Sequence, residues 1–62
     1  MNFEFNYDAE AEEIHIIFDN CISLRAVQEN GKIVYTNFNR VDDEDIEKLL
    51  KNLCVSTFSV LT

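Results

Sequence analysis

The segment VDDEDIEKLLKNL, residues 41–53, is the one part of the chain with the periodicity of an amphipathic helix. Its apolar residues recur every three or four positions, which places them on one helical face. They are Ile46, Leu49, Leu50 and Leu53. Asp42 stands where an N-cap belongs, and Asp45 follows it at the spacing of a capping box. We therefore expect a helix over Val41–Leu53 that covers one face of a small sheet.

The first third of the chain alternates apolar and polar residues, as a half-buried strand does. Residues 2–7 and 14–18 are two predicted strands, and the acidic residues between them form the connection. Pairing Tyr7 with Ile14 places the apolar residues of both strands on one face, whereas a slip of one residue would scatter them. A helix from Asp8 to Phe18 is the competing interpretation, because the sequence DAEAEE has high helix propensity.

Two further predicted strands, Ile22–Gln28 and Lys32–Phe38, flank Asn30 and Gly31. An Asn-Gly pair is typical of a type I′ hairpin turn, because both central residues of that turn need a positive φ. The segment Cys54–Leu61, CVSTFSVL, is rich in β-branched side chains and predicts a final strand. The expected fold class is α+β: an antiparallel sheet of four to five strands, covered on one face by a single helix, in the order ββββαβ.

The sequence YDAEAEEIHI, Tyr7–Ile16, resembles the opening of a family of short uncharacterised bacterial domains. Members of that family begin Tyr-Asp-x-Glu-Ala-Asp-x-Leu-x-Ile, and Glu12 stands here where the family has Asp. The resemblance covers this stretch alone. It implies a β-hairpin and no activity.

Size and charge narrow the possible functions of the chain. With 62 residues, we expect one small domain over residues 1–62. No apolar run approaches the ~18 residues of a membrane span, and no signal segment follows Met1, so we expect a cytoplasmic protein without a membrane partner. The net charge of −7 repels nucleic acid, which makes a basic protein surface the expected partner.

The chain contains few residues of the types most often used in catalysis and metal binding. His15 is the single histidine, and we expect it to be a partly exposed strand residue. Cys21 and Cys54 do not have the spacing of a zinc site with it, so we expect both to be buried free thiols. We therefore expect no enzyme activity, no metal and no cofactor. A small enzyme or metal protein built on these three residues is the rival interpretation.

Nine of the twelve acidic residues fall in two groups. One group consists of Asp8, Glu10, Glu12 and Glu13, and the other of Asp42, Asp43, Glu44, Asp45 and Glu47. Helix-start acids complement the helix dipole and loop acids are solvated, which is one explanation for both groups. The other is that they imitate the closely spaced phosphates of a nucleic acid. All nine residues are our candidate contacts for a basic partner.

In size and acidity the chain resembles small inhibitors that phages and mobile elements encode, such as anti-CRISPR and other anti-defence proteins. This resemblance implies an inhibitor that acts by protein–protein contact or by nucleic-acid mimicry in the host cytoplasm. Its partner would be the basic surface of a host nucleic-acid-handling protein, with no direct contact to nucleic acid.

The far face of the predicted sheet has apolar residues that the helix would not cover. They are Ile17, Val27, Val34 and Phe38. Monomers rarely leave such a patch open, and a two-fold partner is the commonest solution. We therefore expect a homodimer, joined through this face or along the edge of the Cys54–Leu61 strand. A self-associating structural or assembly module with no inhibitory role is the alternative function.

Overall fold

A computed structural model describes residues 2–61, and it shows a four-stranded antiparallel sheet with one long helix on one of its faces. The sheet has the order β1-β2-β3-β4. The strands are β1 Phe3–Asp8, β2 Glu13–Phe18, β3 Ile22–Glu29 and β4 Lys32–Thr36. A single 3₁₀ turn at Phe38–Arg40 leads into the helix α1, which spans Glu44–Leu61. The predicted α+β class and the order of the first five elements are confirmed.

Both of the predicted hairpins form. Tyr7 lies opposite Ile14, so the competing helix over Asp8 to Phe18 does not form. In the second hairpin Asn30 has φ 52° and Gly31 has φ 79°, the two positive values that a type I′ turn requires. The resulting registers place most of the apolar residues of the four strands on the face that the helix covers.

The core lies between that face and the helix. Its centre is formed by side chains with no exposed surface, contributed by β2, β3 and the helix. The buried core residues are Ile14, Ile16, Phe18, Leu24, Ala26, Phe38, Val41, Leu50, Cys54 and Phe58. An edge-on contact between Tyr7 and Phe58, with ring centroids 6.1 Å apart, connects β1 to the last turns of the helix.

The helix is longer than the sequence predicts, and the predicted strand over Cys54–Leu61 is wrong. At 1.5 Å per residue the 18 residues of α1 extend about 27 Å. Its core-facing stripe of residues spaced by four continues from the predicted helix into this segment. The stripe consists of the partly buried Ile46 and the buried Leu50, Cys54 and Phe58. Thr57 is accommodated because its hydroxyl donates to the carbonyl of Leu53 at 2.7 Å. Burial of the stripe therefore outweighs the strand preference of the β-branched residues.

Two of the residues predicted for the buried helical face lie on its flank instead. Leu49 is 47% exposed and Leu53 is 36% exposed. A single helix on a sheet buries only the stripe that points at the sheet, so residues three positions away from it are left at the boundary with solvent. The periodicity of the sequence identifies the helix but overestimates the width of its buried face.

The helix also begins later than predicted, and its N-cap is a different residue. The Oδ1 atom of Asp43 accepts hydrogen bonds from the backbone N–H groups of Asp45, at 2.9 Å, and Ile46, at 3.4 Å. These are the bonds of an N-cap side chain. The predicted cap at Asp42 and its capping box with Asp45 are therefore wrong. Successive aspartates offered two possible caps, and the sequence pattern selected the wrong one.

Phe38 does not lie on the far face of the sheet, where the sequence placed it. The strand β4 ends at Thr36, and Asn37 has φ 68°, a left-handed conformation that changes the direction of the chain. Phe38 is consequently turned into the core, where it is 2% exposed and packs edge-on against Tyr35, with centroids 4.9 Å apart. Alternation along the sequence fails here because the strand has already ended.

Within residues 2–61, no helix has the length and apolar character that crossing a membrane requires.

Candidate protein-binding surfaces

The first acidic group forms the connection between β1 and β2, which we call the acidic turn (Asp8–Glu13). The carboxylate of Asp8 accepts hydrogen bonds from the backbone N–H groups two and three residues further on, at 3.0 and 3.3 Å, and so orders the turn. Glu13 pairs with Arg25 at 2.8 Å. The exposed carboxylates of Glu10 and Glu12 have no hydrogen bond or ion pair within residues 2–61. Two of these four acids are therefore free to contact a partner.

The second acidic group is the acidic helix start (Asp42–Glu47). Two of its five carboxylates have structural roles: Asp43 caps the helix, and Glu47 pairs with Lys51 at 3.0 Å. The remaining three are exposed and form no hydrogen bond or ion pair through their side chains in the described part of the chain. They are Asp42, Glu44 and Asp45. The acidic helix start is thus the larger concentration of uncompensated negative charge.

The structure does not bring the two acidic groups together. The ammonium group of Lys51 lies 5.1 Å from the ring centroid of Tyr35, on β4, whereas Phe58 packs on Tyr7, on β1. The helix therefore crosses the sheet from the β4 side towards the β1 side. Its acidic start lies on the β4 side, and the acidic turn joins the two strands on the other side. The nine predicted contact residues form two separate surfaces.

The face of the sheet that points away from the helix, called here the open face, has a polar centre. One polar residue from each strand forms a row across it, because the four are successive cross-strand partners: Asn6, His15, Arg25 and Thr36. Of the predicted dimer contacts, Ile17 and Val27 are half-buried on this face and Val34 is 49% exposed. Without Phe38 the open face retains three apolar side chains, and they do not form a continuous apolar surface.

The open face also contains a contact that the sequence analysis missed. The Nε2 atom of His15 lies 2.7 Å from the Oγ atom of Ser23, a hydrogen bond between neighbouring strands. The register of β2 with β3 pairs Ile17 with Ser23 and so makes Ser23 a diagonal neighbour of His15, but the sequence analysis did not predict this register. A catalytic Ser–His pair needs a third group that orients the histidine and donors for an oxyanion. His15 forms no second hydrogen bond within residues 2–61, so the contact links β2 to β3 without the parts of a catalytic triad.

The two cysteines are free thiols in very different surroundings. Cys54 has no exposed surface, as predicted, and burial raises the pKa of its thiol from 9.0 to about 11. Cys21 is exposed in the turn after β2, so its predicted burial is wrong. Because this turn follows the last alternating residue, Cys21 is not part of either sheet face. Across residues 2–61, no three His, Cys, Asp or Glu side chains are placed to hold a metal ion together.

Comparison of the chain with protein-family models, curated proteins and solved structures finds no match. The function is therefore inferred from the two acidic surfaces, the open face and the edges of the sheet.

Proposed function

We propose that the protein binds a basic surface of a host nucleic-acid-handling protein through its acidic helix start and prevents that protein from engaging nucleic acid. The observation that supports this proposal is the group of three exposed, unpaired carboxylates at residues 42, 44 and 45. Such an activity is that of a small phage-encoded anti-defence inhibitor, acting in the cytoplasm of the host cell.

Few of these charges contribute to the stability of the fold. Like charges so close together repel one another, and structural roles account for only Asp43 and Glu47. The helix dipole stabilises an acid in the first turn by about 0.3–1 kcal/mol at the surface, an effect that one or two acids already provide. Summed negative charge does, however, speed association with a basic surface and select against acidic partners.

The spacing of these acids suits a site that normally holds nucleic acid. Residues 44 to 47 rise about 4.5 Å along the helix axis, and Asp42 and Asp43 extend the group beyond the N-terminal end of the helix. Duplex DNA has one charge per ~1.7 Å of its axis, so a groove lined with lysine and arginine accepts several negative charges over that distance. Helical backbone from Glu44 onward also holds the carboxylates in fixed directions, which lowers the entropic cost of binding. The acidic turn has fewer free carboxylates, so we assign the principal contact to the helix start.

The chain offers two variants of equal net charge that separate the position of the charge from its amount. The first is Asp42→Lys with Glu44→Lys, at the helix start, and the second is Glu10→Lys with Glu12→Lys, in the acidic turn. Each substitution adds two charges, so both variants change the net charge from −7 to −3. Within residues 2–61 all four side chains lack a hydrogen bond or ion pair, so neither variant removes a contact that these carboxylates make there.

The experiment begins with capture of partners from host lysate by the wild-type protein and by both variants. A captured nucleic-acid-binding protein is then purified, and its affinity for labelled DNA or RNA is measured with increasing amounts of each form. We expect the wild type and the turn variant to displace the nucleic acid and the helix-start variant to fail. Capture of a partner whose nucleic-acid binding the wild type leaves unchanged would contradict the inhibitory role.

A further inference from the structure

The strand β4 ends the sheet, and within residues 2–61 no strand pairs with its outer edge. We propose that this edge is the site at which a second copy of the chain adds, so that two four-stranded sheets become one eight-stranded sheet about a two-fold axis at Val34. This inference is independent of the proposed function. It also replaces the sheet face and the helical C-terminal segment as the place where the chain associates with itself.

The backbone of β4 has unpaired hydrogen-bonding groups at two positions. Glu29 and Lys32 flank the two-residue turn and form its hydrogen-bonded pair. Hydrogen-bonded and non-hydrogen-bonded pairs alternate along an antiparallel ladder, so Val34 also points its N–H and C=O groups towards β3. The corresponding groups of Ile33 and Tyr35 then point outwards. They present two donors and two acceptors to an incoming strand.

The sequence of β4 is complementary to itself in an antiparallel pairing centred on Val34. In that register Ile33 faces Tyr35 of the second copy, and each such pair exchanges two backbone hydrogen bonds. Lys32 faces Thr36 of the second copy, so no like charges meet. An isologous contact of this kind is what two-fold symmetry requires. A pairing between an aromatic and a β-branched residue is among the favourable cross-strand pairs.

The other free edge of the sheet opposes the same association. The strand β1 contains two acids, Glu4 and Asp8, so pairing it with itself brings four carboxylates to the junction, and in the register centred on Asn6 they lie directly opposite each other. Like charges directly opposite each other destabilise a sheet. Among its five residues β4 has one charged side chain, a lysine, and no acid. The charge distribution therefore favours β4 over β1 as the edge that joins.

The pairing would also cover the most exposed apolar side chain of the sheet, that of Val34. Val34 is 49% exposed and lies beside the half-buried Val27 on the open face. At a non-hydrogen-bonded pair the two Cα atoms are only ~4.5 Å apart, so the Val34 side chains of both copies would cover each other. The two Val27 side chains would extend this contact to a row of four valines. A single added strand of five residues buries little area, so we expect an association at the weak end of specific interfaces.

The test is the oligomeric state of two variants at one position, measured by sedimentation equilibrium. Ile33→Pro removes an outward N–H group that β3 does not use, and proline is tolerated on edge strands. Ile33→Ala is its matched control, because it loses the side chain and keeps the N–H group. We expect the wild type and Ile33→Ala to dimerise between roughly 10 µM and 1 mM, the range of weak complexes, and Ile33→Pro to be monomeric. Far-UV circular dichroism establishes that each variant is folded.

Two further measurements keep the result decisive if Ile33→Pro fails to fold. Val34→Glu places two carboxylates at the axis and should give monomers, whereas Ile17→Glu, on the open face, should leave the dimer intact. Amide hydrogen exchange at Ile33 and Tyr35 should slow by about tenfold or more as the protein concentration rises into the dimer range. A wild type that stays monomeric, or a dimer that Ile17→Glu disrupts and Val34→Glu does not, would overturn the proposal.

Discussion

Phe58 and Val60 give the most direct test of the helix at the C-terminal end of the described chain. Two residues apart, they would lie on the same face of a strand and be equally buried there. In the helix Phe58 is 2% exposed and Val60 is 81% exposed. Substitutions at the two positions should therefore have very different costs in stability if the segment is a helix and similar costs if it is a strand.

The size of the expected effect follows from burial. A buried aromatic residue removes about 150–250 Å² from water, and Phe→Ala in a core costs about 3–5 kcal/mol. At roughly 0.05–0.15 kcal/mol per residue, the 62-residue chain has a total stability of about 3–9 kcal/mol, which Phe58→Ala could exhaust. Phe58→Leu retains most of the volume and should cost about 1–2 kcal/mol, including part of the edge-on contact with Tyr7. Val60→Ala should cost less than ~0.5 kcal/mol.

The assay is urea unfolding followed by far-UV circular dichroism. For a chain of this size the dependence of the unfolding free energy on urea is about 1 kcal/mol per M, so Phe58→Leu should lower the midpoint by about 1–2 M. Val60→Ala should leave the midpoint within ~0.5 M of the wild type. Equal losses at the two positions would refute the helical assignment and restore the strand that the sequence pattern favours.

Two further stability predictions concern the turn and the buried thiol. A Cβ added at Gly31 has no atom within 4 Å, so the cost of Gly31→Val is the backbone strain of φ +79°, about 1–2 kcal/mol. This cost should lower the melting temperature by roughly 5–15 °C, and Gly31→Asn should lower it less. An unchanged melting temperature for the valine variant would contradict the turn. Burial raises the pKa of Cys54 from 9.0 to about 11, so the thiol ionises more easily in the unfolded chain than in the folded one. The free energy of unfolding is therefore unaffected by this thiol below pH 9 and falls by ~1.4 kcal/mol per pH unit as the pH rises from 9 to 11. Thermal unfolding from pH 8 to 11 should decline more steeply for the wild type than for Cys54→Val, and parallel curves would show that the thiol does not contribute.

The parts of the fold that the sequence predicts correctly are those decided by neighbours along the chain. The register of Tyr7 with Ile14 follows from alternation on either side of a short connection. The turn at Asn30 and Gly31 follows from the positive φ that few other residue pairs adopt. Both patterns depend only on residues close together in the sequence, so they can be interpreted without knowledge of the tertiary structure.

The incorrect predictions occur where contacts between residues far apart in the sequence determine the local structure. The strand preference of residues 54–61 loses to the burial of Cys54 and Phe58 against the sheet, which no local pattern measures. Phe38 enters the core because Asn37 changes the direction of the chain. The N-cap of α1 lies one residue later than predicted because adjacent aspartates compete for this position, and only the geometry shows that Asp43 holds it.

The candidate site was only partly visible in the sequence for the same reason. The acidic groups are obvious from composition, but their separation depends on the path of the helix from β4 to β1. Which carboxylates are free also depends on the fold, since pairing removes Glu13 and Glu47 and capping removes Asp43. Hydrogen bonds within the acidic turn also occupy Asp8. Five of the nine candidate carboxylates therefore have no hydrogen bond or ion pair within residues 2–61, and three of these five lie at the helix start.

The affinity of the captured partner for the two variants of equal charge tests the central claim most directly. Binding is measured for the wild type, for Asp42→Lys with Glu44→Lys, and for Glu10→Lys with Glu12→Lys, at low and at high salt. We expect the helix-start variant to weaken binding at low salt by at least about tenfold and the turn variant by less than about threefold, and we expect this difference to shrink as salt screens the charges. Equal affinities for the two variants at both salt concentrations would contradict a contact through the acidic helix start and leave that segment as a solvated surface.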